Sequence, residues 1–313
     1  MKKHNIIAMA LTSLMALPVI AQDSTPAVGD ILQGINMFTP EEGDPAYKVK
    51  ANEKYGTQWG VDMAYGLWNT EKVSDVKRHN NLALLHAQLN QRLIEDKANG
   101  GTWLRVEFSG SWGLDRESAQ SETFFTEAYA TASGLHADAM GPHEGIFPEV
   151  ALMQYFAGKR ACLIAGMVNL TNYFDAVSIA NDSFSSFTND GFVNSTILPL
   201  VDSNIGGILQ VELNRNNYMM VAVSRTGCDS GYNPFNSDYC DGYAVVGEYG
   251  HIFADGAATL RINPFYTSTD VDMDDGTGER RRQNAGLVAS IEYTPCDPLT
   301  IYSRAGFAAK QYL

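Results

Sequence analysis

Beyond its N-terminal segment the chain has no apolar run of the roughly 18–20 residues that a membrane-crossing helix needs. If it enters a bilayer, it must do so as a barrel. Positive charge is scarce: 22 Lys and Arg stand against 36 Asp and Glu, giving a net charge of −14 and a pI of about 4.8. That balance disfavours nucleic acid as a partner, because phosphate binding needs a basic face. Only four cysteines occur, with no C-x-x-C pair and no paired His-Cys spacing, so no metal site is expected. The histidines do not cluster, and His79, His86, His136, His143 and His251 stand singly. There is no H-E-x-x-H and no Ser-His-Asp order with a nucleophile elbow. The chain is therefore read as a non-enzyme with no catalytic residue and no cofactor.

Aromatic residues (11%) and glycine (28 residues) are plentiful, while a mean hydropathy of −0.18 is too polar for a helical membrane protein. Barrels have such compositions. Met1-Lys2-Lys3, the apolar run from Ile6 to Ile20 and the small residue before Gln22 form a secretory signal peptide over 1–21, cut after Ala21. Residues 22–56, rich in Pro, Asp, Glu and Gly, read as a mobile N-terminal leader. Residues 57–313 read as the β-barrel pore domain.

In that domain, segments of roughly 9–12 residues alternate apolar and polar side chains between Gly, Asn, Asp and Pro clusters. The clearest is Thr102 to Trp112, where Leu104, Val106, Phe108 and Trp112 oppose Arg105, Glu107, Ser109 and Ser111. Leu85, Ala87, Leu89 and Leu93 oppose His86, Gln88, Asn90 and Arg92 in the same way. So do Leu209, Val211 and Leu213 against Gln210, Glu212 and Asn214. Similar splits recur over Thr259 to Tyr266, Leu287 to Tyr293 and Leu299 to Phe307. About 12 strands are identifiable, counting weak segments such as Glu122 to Thr131. On this alternation Arg92, Arg105, Arg261 and Arg304 face a lumen with Glu107, Glu212, Glu248 and Glu292, either setting a transverse field or bridging the wall.

Short connections, N-R-N-N before Tyr218 and T-P-C-D-P before Leu299, suit one rim. The longer polar stretches Gly227 to Asp241 and Ser268 to Gln283 suit the other, which is the outer-membrane arrangement. Cys228 and Cys240 bracket the first of these and are expected to form a disulfide in an oxidising compartment. Asp270 to Glu279 partly matches a calcium loop, yet Asp275 stands where that motif wants Gly. A solvated hairpin tip, with Arg280, Arg281 and Arg282 balancing the charge, fits better.

The stretch from Asn169 to Leu200 stands apart. It is about 30 residues long, against the roughly 4–6 of an ordinary connection. Within it Asp175, Asn181, Asp182, Asn189, Asp190 and Asn194 interleave with Phe184, Phe187 and Phe192. Amides and carboxylates beside aromatic faces suit a polyhydroxylated ligand, because rings stack on the apolar face of a sugar while polar groups take its hydroxyls. A surface loop packed on its own aromatics is the plainer alternative.

The runs N-L-T-N-Y-F-D-A, A-N-D and F-T-N-D-G-F-V-N resemble the inner-loop signature of the carbohydrate-selective porin family of Gram-negative outer membranes. The likeness is strongest from Glu149 to about Thr226 and weaker through the later strand pairs. It implies an all-β transmembrane antiparallel barrel, of about 16 strands in the family, with 169–200 folded inward as a constriction. It also implies passive, sugar-preferring diffusion, a monomer or homotrimer, and a place in the cell outer membrane. The named loop residues, with Arg92 and Arg105, are then the candidate sugar contacts. Ending at Leu313 without a terminal aromatic residue suggests a C-terminally truncated copy. The competing readings are a secreted soluble β-sandwich that binds carbohydrate, and a barrel hydrolase.

Overall fold

Alternating sequences fold as strands because successive side chains point to opposite faces, so each strand can show lipid one face and water the other. The computed structural model describes residues 12–15, 45–69, 79–113, 144–177, 194–195, 197–201, 203–226, 242–272, 280–296 and 299–309. Its elements begin with Thr12–Met15 (β1), the helix Ala46–Tyr55 (α1), Thr57–Asn69 (β2), His79–Ile94 (β3), Thr102–Gly113 (β4) and Glu144–Phe156 (β5). They continue with Ala161–Val168 (β6), Asn204–Asn214 (β7), Asn217–Thr226 (β8), Gly242–Phe253 (β9), Ala258–Asp272 (β10), Arg280–Cys296 (β11) and Leu299–Ala308 (β12). All the strands join one antiparallel sheet, and from β2 to β12 each lies beside its neighbours in sequence. Among the described residues β1 and β2 form the two edges, and the sheet is open between them. β1, which pairs with β12, falls inside the stretch read as a signal peptide, so in a chain cut after Ala21 the outer edge of β12 has no partner strand among the described residues.

The sheet is sorted inside out relative to a water-soluble protein. Gln88, Asn90, Arg105, Glu107, Gln210, Glu248 and Arg304 are buried, whereas Met63 is 81% exposed and Leu152, Val223 and Phe307 are at least half exposed. Soluble domains bury the apolar set and leave charge outside; an apolar exterior around a polar interior is the sorting of a lipid-facing barrel wall. The secreted sandwich reading fails here, because a sandwich joins two apolar inner faces.

The connections alternate as expected. At one rim lie the described connections 95–101, 157–160, 215–216 and 254–257; at the other end of the strands the described residues include the base of the inner loop, 169–177. The stretch Ser268 to Gln283 is more strand than loop. β10 runs on to Asp272 and β11 starts at Arg280, so residues of opposite charge, Asp270 with Arg282 and Asp272 with Arg280, take facing positions. Residues 273–279, with Asp274, Asp275 and Glu279 of the partial calcium match, lie outside the described residues, and among the described residues no group of acidic, His or Cys side chains is arranged for a metal.

Residues 46–55, at the end of the stretch read as a leader, form a helix. Lys, Glu and Ala favour a helix, Pro45 starts it, and Gly56 ends it in a left-handed cap at φ 64°. A side chain at residue 56 would run into that of Arg92. No residue of α1 is buried, so the helix leaves no hydrophobic stripe in the sequence to find. It is tied to the barrel by Gln58 Nε2 donating to Asn52 Oδ1 at 3.2 Å and by Tyr47 stacking on Trp59 at 6.2 Å.

Candidate functional site: the inner loop and the lumen wall

The segment after β6 turns inward through local hydrogen bonding. Asn169 caps a single 3-10 turn, Leu170–Asn172, its Oδ1 accepting from Thr171 N at 3.1 Å and Thr171 Oγ1 at 2.6 Å. Leu170 N donates to Val201 O at 3.1 Å, which brings the incoming and outgoing limbs together. Asp175 then takes φ 56°, a left-handed conformation that Asp tolerates better than most residues, and reverses the chain.

Between these points the loop grips widely separated strands. Asn172 Nδ2 donates to Glu107 Oε2 on β4 at 2.8 Å and to Glu149 Oε2 on β5 at 3.3 Å. Tyr173 Oη donates to Glu149 Oε1 at 2.5 Å. Asp175 N donates to Glu248 Oε2 on β9 at 2.8 Å, while its Oδ2 pairs with Arg304 Nε on β12 at 2.9 Å. Ser195 N, on the outgoing limb, donates to the same Oδ2 at 2.8 Å. The base of the loop therefore crosses the inside of the sheet from β4 to β12. This placement bears out an inward-folded loop for its described part.

Apolar packing holds the same segment. Leu170, Tyr173, Phe174 and Leu198 join a buried cluster with Met153, Ile164, Ile208, Met220 and Val246 on β5 to β9. Burying such side chains stabilises by about 1.5–3 kcal/mol each. The interior thus has an apolar side, where the loop docks, and charged positions to either side of it.

On the wall, Arg105 is fully buried, 3.4 Å from Glu149 Oε2 and 5.7 Å from the Tyr173 ring centroid. Arg261 Nη1 donates to Glu292 Oε2 at 3.2 Å. Glu107 Oε1 meets His86 Nε2 at 2.7 Å. Glu248 accepts from Tyr218 Oη and Asn263 Nδ2, each at 2.7 Å.

Of the residues expected to meet sugar, the structure brings Arg105 and Asp175 together with the loop base. Asp175 is fully buried, and its carboxylate fastens the loop by bonding Arg304 and the Ser195 amide of the outgoing limb. Arg92 lies near the end of β3 on the short-turn rim, its guanidinium over Trp103 at 5.8 Å and 4.0 Å from Glu95. Asn194 lies half-buried beside Ser195. Asn181, Asp182, Phe184, Phe187, Asn189, Asp190 and Phe192 lie outside the described residues, as do Cys228 and Cys240.

Asn172 and Tyr173 belong to the N-L-T-N-Y-F-D-A run, whereas Glu149 and Tyr218 join the network without having been read from the sequence as site residues. Glu149 was hidden by a bulge: Glu107 faces Glu149 but Ser109 faces Ile146, so Phe147 and Pro148 share one position and the alternation of β5 changes phase. A lone Glu beside Pro in an apolar strand was the available signal. Tyr218 was hidden because β8 is apolar on both faces.

The fold defined by this sheet and inner loop is that of a porin. Among solved structures it is similar to OprB of Pseudomonas putida, a carbohydrate-selective porin, with a TM-score of 0.57 at 12% identity over 80% of this chain and 64% of that one. A mutant of the Rh. blastica porin aligns over 80% of this chain and 99% of its own, with a TM-score of 0.32 and 11% identity. In sequence, an uncharacterised protein of Aquifex aeolicus (strain VF5) is 37% identical over 133 residues, 42% of each chain. The chain thus spans under two thirds of OprB and less than half of the Aquifex protein. No family model matches.

Proposed function

We propose that this chain forms an outer-membrane channel for the passive diffusion of small carbohydrates. The observation that carries the reading is the loop base, which packs on the inside of the wall and is fastened there to buried Glu107 and Arg304, while the outside of the wall is apolar. OprB, a carbohydrate-selective porin, shares the fold and supports the preference for sugar. The process is physical, with no covalent step. Solute enters down its gradient, exchanges hydration for weak contacts with the lumen, and leaves because each contact is shallow.

Asn181, Asp182, Asn189, Asp190 and Asn194 are assigned the sugar hydroxyls, with Phe184, Phe187 and Phe192 stacking on the ring faces. These residues belong to the segment whose two ends Asp175 and Ser195 tie together. Export by a signal peptide cut after Ala21, a Cys228–Cys240 disulfide, and a monomer or homotrimer complete the proposal.

The test is conductance of the detergent-purified mature chain in planar bilayers during titration with glucose and maltose-type oligosaccharides. Steady channels that sugar blocks in a saturable way are the expected result. Well-folded protein that gives no channel would overturn the reading.

A further inference from the structure

We infer that the channel prefers cations and neutral solutes to anions, because the charge at its narrowing is negative. This rests on the channel reading above. Among the described residues, three buried guanidiniums stand against six buried carboxylates on the inner face and loop base. Each guanidinium is committed to a carboxylate: Arg105 to Glu149 at 3.4 Å, Arg261 to Glu292 at 3.2 Å and Arg304 to Asp175 at 2.9 Å. The excess is therefore acidic.

Two of the excess carboxylates lie where the loop crosses the lumen. Glu107 is bonded by Asn172 and His86. Glu248 is bonded by the Asp175 amide, Tyr218 and Asn263. The Asn172, Tyr218 and Asn263 side chains and the Asp175 amide are neutral donors, which orient a carboxylate without offsetting its charge.

A low-dielectric wall focuses such a field into the lumen rather than dissipating it. Charge inside a pore selects by sign even where the ion makes no direct contact. The substrate class follows: neutral and cationic polyhydroxylated solutes pass, whereas acidic or phosphorylated sugars meet a barrier.

The experiment is the reversal potential of the reconstituted channel under a KCl gradient at pH 8, for the wild type and for Glu107→Gln and Glu248→Gln. The expected wild-type potassium-to-chloride permeability ratio is roughly two-fold or more, falling toward unity in each variant. The wild-type sign is decisive even if a variant does not fold. A chloride-preferring wild type, or two folded variants with unchanged ratios, overturns the inference while leaving the channel standing. A folded protein that conducts nothing overturns the channel reading and this inference with it.

Discussion

Arg304 on β12 and Asp175 at the base of the inner loop are 2.9 Å apart, and the carboxylate oxygen they share also accepts the Ser195 amide. This contact joins both limbs of the loop to the last strand of the sheet. Removing one partner of a buried ion pair leaves the other charge uncompensated, at a cost of about 3–5 kcal/mol. Arg304→Ala and Asp175→Ala should each lose that much stability in detergent, and the double variant should lose clearly less than their sum. Additive losses in a double-mutant cycle would show that the two do not interact.

Tyr173 carries a smaller load of the same kind. Its hydroxyl donates to Glu149, which also faces buried Arg105. Tyr173→Phe keeps the ring in its apolar cluster and deletes the donor, so chemical denaturation should register a loss of about 1–3 kcal/mol. Glu149→Ala strands Arg105 and should cost more, about 3–5 kcal/mol. A Tyr173→Phe variant as stable as the wild type would mean that the hydroxyl contributes nothing.

The outer face can be tested directly. Val221 lies within β8 and is 42% exposed. In lipid, Val221→Lys should destabilise folding into vesicles by about 2–4 kcal/mol if this position sits near the bilayer midplane. On a water-exposed surface the same change is usually worth within about 0.5 kcal/mol. A null effect would count against lipid on that face.

The three phenylalanines of the inner segment, Phe184, Phe187 and Phe192, are assigned to stacking. If each ring contributes about 0.5 kcal/mol, replacing all three with Ala weakens sugar block roughly ten-fold and raises conductance. Current recordings with unchanged block would remove them from the sugar path.

A turn on the short rim gives a pH signature. Asp96 accepts from the Asn99 side chain at 2.9 Å, the Asn99 amide at 3.1 Å and the Ala98 amide at 3.0 Å. These bonds, led by that from the Asn99 side chain, hold its carboxyl below the ordinary range. A depressed folded value contributes stability above the unfolded value, and that contribution disappears as pH falls through the folded one. Local hydrogen exchange in residues 95–101 should rise below about pH 4, and Asp96→Asn should abolish that acid dependence.

The strands were legible because alternation reports a wall with two unlike sides. Arg105, Glu107, Glu248 and Arg304 fall where a period of two puts them. Legibility failed where that period failed: at the bulge before Glu149, and in β8, where Tyr218 and Met219 face opposite ways but are both apolar in bulk. The loop was legible as a polar insertion rich in Asn and Asp. Its anchoring was not, because Tyr173 and Phe174 resemble stacking residues until their burial in the apolar cluster is seen. Asp175 belongs with them, since no local pattern tells a carboxylate that greets solute from one that closes a loop.

Glu107 and Glu149 face each other in the ladder between β4 and β5, like charges at adjoining positions, with the Asn172 amide bonded to both. Without the loop, that pair of strands would carry two neighbouring acids relieved mainly by Arg105 and His86. Docking of residues 172–175 is thus part of what permits the strands to settle, which makes loop and wall one cooperative folding unit. The segment is built as a strut and not as a hinged gate. Swinging it aside would strip partners from acids on three strands, so in the proposed channel solute threads past a fixed obstacle, and traffic is governed by size and charge instead of by opening and closing.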